Sequence, residues 1–570
     1  EEDSMFLARQ SFKPRLLKSR SIPLNSIMVQ KRAFNEGRRH FKKSKKQKIS
    51  TVSDGSNEEV LLADVKRLLR NTESHGQDVT TPPQQWTEVE LEITELSSTG
   101  DGLAQKDGQI YVVPFAAPGD TVSAKVIKHI ASDSYVLTDL VSVKVPSQHR
   151  TETPACAYFA QCSGCQFQHL PYAYQLAHKK MIVEKAYANF SNLPASEIPP
   201  VGDTIGSPLQ YAYRTKLTPH FDAPPSARSD KRKGLEVKWD TVPPIGFMKK
   251  GTRKTIDIEE CPIGTEAVQL GLKRERARVH KDIETYQRGA TLLLRESTER
   301  VQKDRSKTEE ESEGKSKSED DTGIIEDRGN YQYRKTCITD FKAISTEYVD
   351  DYRFDNPAGS FFQNNNSILS KVTEYIRTHI LAEPSNDAAG SKPYPEIKNM
   401  IDAYCGSGFF TVTLSKIFSN SIGIDISPQS IDSASHNAKL NNLPADSTRF
   451  IAADANDLFS SIDSSKLKPS ETAVVIDPPR KGCDQGFIKQ LIAYGPARIC
   501  YVSCNVHTQA RDVGWLVGGI EDNEGLPMSG MYEIESLRGF DFFPQTSHVE
   551  GVAMLRKRSV SSTNVMRVVD

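Results

Sequence analysis

No apolar run in the 570 residues approaches the ~18 needed to span a membrane, so a soluble, intracellular chain with no membrane partner is expected. Cysteines are few, and their number, nine, is odd. Several fall at metal-like spacings or at the ends of apolar runs, which points to thiol or metal chemistry in a reducing compartment and away from a disulfide framework. Net charge is nearly absent as well, at −1, but the sum hides a local asymmetry. Residues 1–50 hold 14 Lys and Arg against 4 Asp and Glu. From Met5 to Asn35 there is no acid at all, as in a mitochondrial presequence. Arg38-Arg39-His40-Phe41-Lys42-Lys43-Ser44-Lys45-Lys46-Gln47-Lys48 reads instead as a nuclear address or a nucleic-acid-binding arm. A solvated basic tail explains both stretches equally well, so nucleus, cytoplasm and mitochondrion all stay open. The chain starts at Glu1, not at Met, as a processed or partial product would.

What is there changes texture along the chain. Residues 1–85 read as a disordered basic region, interrupted by one short amphipathic helix near 58–70 (Val60, Leu61, Val65, Leu68, Leu69). Residues 86–145 show alternating strand patterns and Gly-containing turns, about five short strands in all. That predicts a small OB-like β-barrel, a fold that binds single-stranded nucleic acid, although the segment has few aromatics for stacking bases. A central α+β domain is expected over 146–350, with a charged, low-complexity insertion at about 298–328 that has nothing to bury. Residues 351–570 alternate β and α units, which predicts a doubly wound parallel sheet of the Rossmann-like kind.

Chemistry clusters at the predicted strand ends, where open α/β sheets hold their ligands. The run Ile499-Cys500-Tyr501-Val502-Ser503 delivers Cys504, and Ala473-Val474-Val475-Ile476 delivers Asp477-Pro478-Pro479-Arg480. The strand near Ile401-Asp402 opens into Tyr404-Cys405-Gly406-Ser407-Gly408, and Asp425 follows 23 positions after Asp402, suited to ribose hydroxyls. The third glycine of the dinucleotide fingerprint is missing, which favours a cofactor without phosphates. S-adenosylmethionine fits, with its methionyl end over Gly406 and Gly408, its adenosine on Asp425 and its adenine edge on Asp454. An aromatic clamp after the two prolines is missing too: Arg480 stands there, so the substrate must be activated in another way. A Cys504 thiolate can do this by adding to carbon 6 of a pyrimidine, which makes carbon 5 able to accept a methyl group. In that scheme Glu550, in His548-Val549-Glu550, removes the carbon-5 proton. Separately, Cys156, Cys162 and Cys165, with Cys261 as a fourth thiol, match a metal site for zinc or an iron–sulfur cluster, and the spacing favours neither.

Taken together, Cys156…Cys162-Ser163-Gly164-Cys165-Gln166-Phe167-Gln168-His169-Leu170, Ser360-Phe361-Phe362-Gln363-Asn364, Asp402-Ala403-Tyr404-Cys405-Gly406-Ser407-Gly408, Asp477-Pro478-Pro479-Arg480-Lys481-Gly482, Ser503-Cys504-Asn505 and His548-Val549-Glu550 resemble the tRNA (uracil-5-)-methyltransferases and their ribosomal-RNA relatives. The likeness covers about residues 86–555 and leans towards the eukaryotic, fungal-type tRNA enzymes, given the basic N-terminus and the charged insertion. It implies a TRAM barrel, a central cysteine domain and a methyltransferase domain. It also implies that Gln363, Tyr404, Asp425 and Asp477 contact S-adenosylmethionine or the base, that Phe361 stacks on a flipped uracil, that Cys504 is the nucleophile and that Glu550 is the proton acceptor. By likeness to the ribosomal-RNA branch, the four cysteines are expected to hold a 4Fe-4S cluster. Phe409, where relatives often have Asn, puts one cofactor contact in doubt, and Val506, where Pro is usual, is expected to loosen the nucleophile loop. The expected activity is methylation of carbon 5 of a uridine in RNA, the T-loop uridine of tRNA, by a monomer. An RNA cytosine-5 methyltransferase and a non-catalytic RNA-binding or processing factor are the alternatives.

Overall fold

A computed structural model describes residues 53–73, 83–303, 323–382, 396–454, 459, 467–522 and 524–558. The two address readings within residues 5–48 lie outside them. Among the described residues no helix is long and apolar enough to cross a membrane.

Helix α1 (Asn57–Glu73) is the amphipathic helix that the apolar spacing predicts, with Glu58 and Glu59 in the first turn, where the helix dipole favours acids. Its Leu61 and Val65 are buried against Ile110 and Val112. Next come β1 (Glu88–Glu92), β2 (Glu95–Leu96), β3 (Gly102–Lys106), β4 (Gln109–Val113), β5 (Thr121–Ile130) and β6 (Tyr135–Val145). They form one six-stranded sheet in the order β1-β5-β6-β4-β3-β2. Inward-pointing Val122, Ala124 and Val126 of β5 meet Leu91, Tyr111 and Val113 in its core. The sequence pattern predicts about five strands. The sheet has six: β2 is only two residues long, and Gly102-Leu103-Ala104-Gln105-Lys106 of β3 does not alternate.

Helix α2 (Tyr172–Phe190) and the short β7 (Gly202–Ile205) lead into the central region. There β8 (Leu294–Gln302), β9 (Ile324–Arg328) and β10 (Tyr331–Ile338) pair in the order β9-β10-β8, followed by the hairpin of β11 (Ile344–Val349) and β12 (Tyr352–Pro357). The insertion expected at about 298–328 is therefore strand at both ends. Its polar residues pair across β8, β9 and β10, for example Glu299 opposite Arg334, while residues 304–322 lie outside the described residues.

Residues 369–557 build the sheet that carries the chemistry. Helix α3 (Leu369–Leu381) precedes β13 (Asn399–Ala403), α4 (Phe409–Leu414), β14 (Asn420–Asp425), α5 (Pro428–Leu440) and β15 (Thr448–Ala452). Then follow β16 (Thr472–Ile476), α6 (Gln485–Tyr494), β17 (Arg498–Ser503), α7 (Val506–Gly518), β18 (Tyr532–Phe540) and β19 (Glu550–Lys557). Local signals set the helix starts: Ser427, Asp484 and Asn505 each accept a hydrogen bond from a first-turn amide, and Pro428 occupies the first turn of α5. The eight strands run β15-β14-β13-β16-β17-β19-β18-β7. The first five are parallel, and all of β13, β16 and β17 is buried on both faces, which explains their unbroken apolar runs. The sheet is not parallel throughout, as the β/α alternation predicts. β19 runs antiparallel to both β17 and β18, and β7, from before the central strands, joins the far edge. Alternation alone could not show this, because β18 and β19 follow each other without an intervening helix.

Candidate active site

The antiparallel return of β19 builds the centre of the site. Ser503 pairs with Gly551, so the next residues outward, Cys504 and Glu550, emerge opposite one another from neighbouring strands. Gln509 on α7 holds this end closed by donating through its side-chain amide to the carbonyls of Tyr501 (2.7 Å) and Gly551 (2.9 Å). Gly551 is needed for that approach, because a Cβ there would lie 2.5 Å from Gln509 Oε1 and 2.7 Å from Val506 Cγ1.

The loop that carries Cys504 is tightly bonded. Ser503 Oγ accepts from the Asn505 amide, and Asn505 caps α7 by accepting from His507 N (3.2 Å). The Asn505 side-chain amide donates to the carbonyls of Arg480 (2.9 Å) and Gly55 (3.0 Å). Val506 is buried at the first helical position of α7, directly after the Asn505 cap. Ser53–Asn57, Arg480, Cys504, Asn505 and His548 together line a cavity of about 540 Å³.

Burial, together with the negative charge of Glu550, pushes the Cys504 thiol up to about 12, while Arg480, hydrogen-bonded to it, pulls the other way. Burial and the neighbouring Asp477 also hold the Glu550 carboxyl well above its usual range. Burial, with Asp402 next, raises Asp477 to about 7. Arg480 Nη2 donates to His548 Nδ1 (3.3 Å), and burial and nearby cations push His548 down to about 4, so its ring is neutral and can accept. Arg480, read from the sequence as the place of a missing aromatic, is thus a cation hydrogen-bonded to the thiol. The sequence signal was its position three residues after Asp477.

On the neighbouring strand ends, Tyr404, Gly406 and Gly408 all have positive φ (62°, 54° and 86°) and turn the chain sharply after β13. A Cβ on Gly406 would meet nothing within 4 Å, so the turn faces open space, as a ligand approaching the backbone requires. Asp425 braces the turn by accepting from Gly406 N (3.1 Å) and Ser427 N (2.8 Å). Beside it Ile426 is 69% exposed, an apolar surface that the sequence reading passed over. Asp454 is exposed just beyond the end of β15, at the same edge. Asp402 turns inward: its Oδ2 accepts from the backbone and hydroxyl of Thr411 (2.8 and 2.6 Å), and it holds α4 in place. Phe409 is buried against Phe354 and Phe362 and faces the core, away from the Gly turn.

Phe361 is 73% exposed, and Gln363 is half-buried on the same loop. That loop is fixed on both sides. Phe362 packs on Phe409 after the Gly turn, and Asn365 donates to Phe542 O, on the segment that leads to Glu550. The loop also rests on the buried Arg295–Glu347 ion pair through Asn364 and Asn366.

The iron–sulfur expectation is not supported. Cys156, Cys162, Cys165 and Cys261 lie in one neighbourhood, but among the described residues no group of three or more His, Cys, Asp or Glu side chains is disposed to hold a metal ion. Burial, and the other thiols after it, push Cys165 and Cys261 up to about 12. The four thiols still feel one another electrostatically, Cys261 across the chain as well as the three close in sequence. Instead the stretch after Cys165 supports the catalytic end: the amides of Gln166 and Phe167 donate to Gln545 O.

A thiol, a base and a guanidinium at one end of a sheet, beside an open Gly turn, fit a methyl transfer to a carbon atom. Residues 344–558 match the model of the tRNA (Uracil-5-)-methyltransferase family, and residues 84–130 that of the TRAM domain. A tRNA (uracil(54)-C(5))-methyltransferase of Schizosaccharomyces pombe is 41% identical over 95% of this chain and 92% of its own length. The chain belongs to the tRNA (uracil-5-)-methyltransferase family. Its Saccharomyces cerevisiae relative, a tRNA (uracil(54)-C(5))-methyltransferase, is 40% identical over 89% of this chain and 79% of its own. Among solved structures, the Pyrococcus abyssi tRNA (uracil-54, C5)-methyltransferase in complex with S-adenosyl-L-homocysteine aligns with a TM-score of 0.52 and 22% identity. It covers 82% of this chain and 100% of that one, a likeness of fold. This methyltransferase therefore has a TRAM domain ahead of its mixed sheet.

Proposed function

We propose that this chain transfers a methyl group from S-adenosylmethionine to carbon 5 of a uridine in tRNA, at position 54 in the T-loop, through a covalent adduct on Cys504. The observation that carries the reading is the pairing of β17 and β19, which sets Cys504 against Glu550 beside the Gly406 turn.

Gly406, Gly408, Tyr404, Asp425 and Ile426 would hold the cofactor, with Gln363 and Asp454 at its edges. When bound, S-adenosylmethionine supplies an electrophilic methyl group on a sulfonium. Asp477 would bond the edge of the uracil, and Phe361 would offer it a stacking face. Taking the base out of its stack costs a few kcal/mol, which contacts elsewhere on the RNA must offset. Cys504 would give up its proton to water as its Sγ bonds to carbon 6; the electron pair of the 5,6 double bond moves to carbon 5, which would take the methyl group as the sulfonium–methyl bond breaks and S-adenosylhomocysteine leaves. Glu550 removes the proton left on carbon 5, the double bond re-forms, and the Sγ–carbon 6 bond breaks with the thiolate leaving. Arg480 stabilises that thiolate at both ends of the cycle. No step uses the four central cysteines. We read the six-stranded sheet as an OB-like barrel that contributes phosphate contacts.

Digesting treated tRNA and identifying the modified nucleoside tests this reading. It predicts 5-methyluridine in the T-loop fragment. 5-Methylcytidine would replace it with the cytosine reading, and no methylated nucleoside with no binding of S-adenosylmethionine would favour a non-catalytic RNA-binding factor.

A further inference from the structure

The loop between β10 and β11 carries an aromatic residue with no role in the scheme above. Phe341 is 51% exposed although it is anchored. Its carbonyl accepts from Gly359 N (3.0 Å), and a Cβ on Gly359 would lie 3.0 Å from its ring. The ring therefore lies against bare backbone, where only glycine leaves it room. Phe361 is two residues beyond Gly359, so its Cα is at most ~7 Å further along the chain. Between the two rings, Lys216 Nζ donates to the carbonyls of Gly359 (3.0 Å) and Ser360 (3.1 Å) and fixes the connecting backbone. Ile344, 53% exposed, widens the apolar surface on the Phe341 side.

Two large aromatic rings held open to solvent on a clamped backbone are costly unless something covers them. Phe361 is 73% exposed two residues beyond Gly359, and in the reading above the molecule that meets it is RNA. An aromatic face stacks any nucleobase, whatever its identity.

We propose that Phe341 is a second stacking face, which takes an unpaired nucleobase of the substrate RNA next to the methylated uridine. The proposal rests on the reading of Phe361 as the face for the target base, and it assigns the two rings different work. Phe361 serves the reacting base and affects turnover; Phe341 holds a neighbour and affects RNA binding.

The test uses the full chain and a T-arm RNA hairpin, with a series carrying one abasic site at a time on either side of the target uridine. Phe341→Ala is expected to raise KM for the hairpin about fivefold to a hundredfold, with kcat at saturating RNA and S-adenosylhomocysteine affinity near wild type. Phe341→Trp should restore KM and Phe341→Leu should not, because leucine keeps the apolar bulk and loses the ring face. At one abasic position, wild type and Phe341→Ala should bind alike. An unchanged KM in Phe341→Ala, full function in Phe341→Leu, or convergence at no abasic position would overturn the proposal. Phe361→Ala reports separately: if it leaves kcat unchanged the Phe361 reading fails, whatever Phe341 does.

Discussion

At the scale of single residues, the site is a contest over one proton on sulfur. An unperturbed cysteine ionises near ~8.5, and in this site burial and the Glu550 carboxylate drive Cys504 to about 12 against the pull of Arg480. The free enzyme therefore holds a thiol at neutral pH, and the alkylation rate of Cys504 by iodoacetamide should still be rising with pH at 9 to 10, not levelling near 8. Arg480→Gln removes the favourable partner, so alkylation should slow about tenfold or more at a given pH, since each tenfold corresponds to ~1.4 kcal/mol. Faster alkylation in that variant would remove Arg480 from its role. Of these residues, Cys504, Glu550 and Asp477 were legible because each ends or begins an apolar run. Arg480 was read only as a missing aromatic, since its contacts to Cys504 and His548 cross between separate loops.

At the scale of elements, two strands and the helix between them hold the geometry. Gln509 bonds the carbonyls of both β17 and β19, and replacing it with leucine leaves two buried carbonyls short of a donor. That should cost about 2–4 kcal/mol in urea unfolding and lower kcat, with S-adenosylhomocysteine binding retained. β13 carries a second device. Burial lifts the Asp402 carboxyl to about 7, above its value in the unfolded chain, so its neutral form supports the fold at low pH. That support is complete below about pH 4 and is lost as pH rises through about 7. Asp402→Asn, whose carbonyl oxygen can still accept from Thr411, should flatten the fall in cofactor-free thermal stability between pH 5 and 8. An unchanged pH profile would show that Asp402 does not titrate in that range. The β/α order of these elements was readable from apolar runs, the Gly turn and the Asp and Ser caps. The direction of β19 was not, because antiparallel pairing depends on contacts far apart in sequence, and the same limit hid the convergence of Phe341 on Gly359.

At the scale of the whole molecule, the central region and the catalytic sheet are joined at the segment that leads to Glu550. Lys179 on α2 and Asp541, both fully buried, form an ion pair there, and Lys179 Nζ also donates to Phe543 O (2.9 Å). Gln166 and Phe167 bond Gln545 O just beyond. Asp541→Asn would leave the lysine buried without its counter-charge, and should cost about 3–5 kcal/mol in urea unfolding. A loss below about 1 kcal/mol would show that the join bears little of the fold's stability. The short intervals between Cys156, Cys162 and Cys165 are readable in the sequence, but the bonds of the following Gln166 and Phe167 to Gln545, far along the chain, are not.

The central claim is that Cys504 and Glu550 work in sequence on one covalent adduct, and the most direct test is the intact mass of enzyme incubated with T-arm RNA and S-adenosylmethionine. Glu550→Gln should accumulate a species heavier by one methylated RNA, with the linkage mapped to Cys504, while Cys504→Ala should form neither adduct nor 5-methyluridine. Full methylation by Cys504→Ala, or an inactive Glu550→Gln with no adduct, would contradict it.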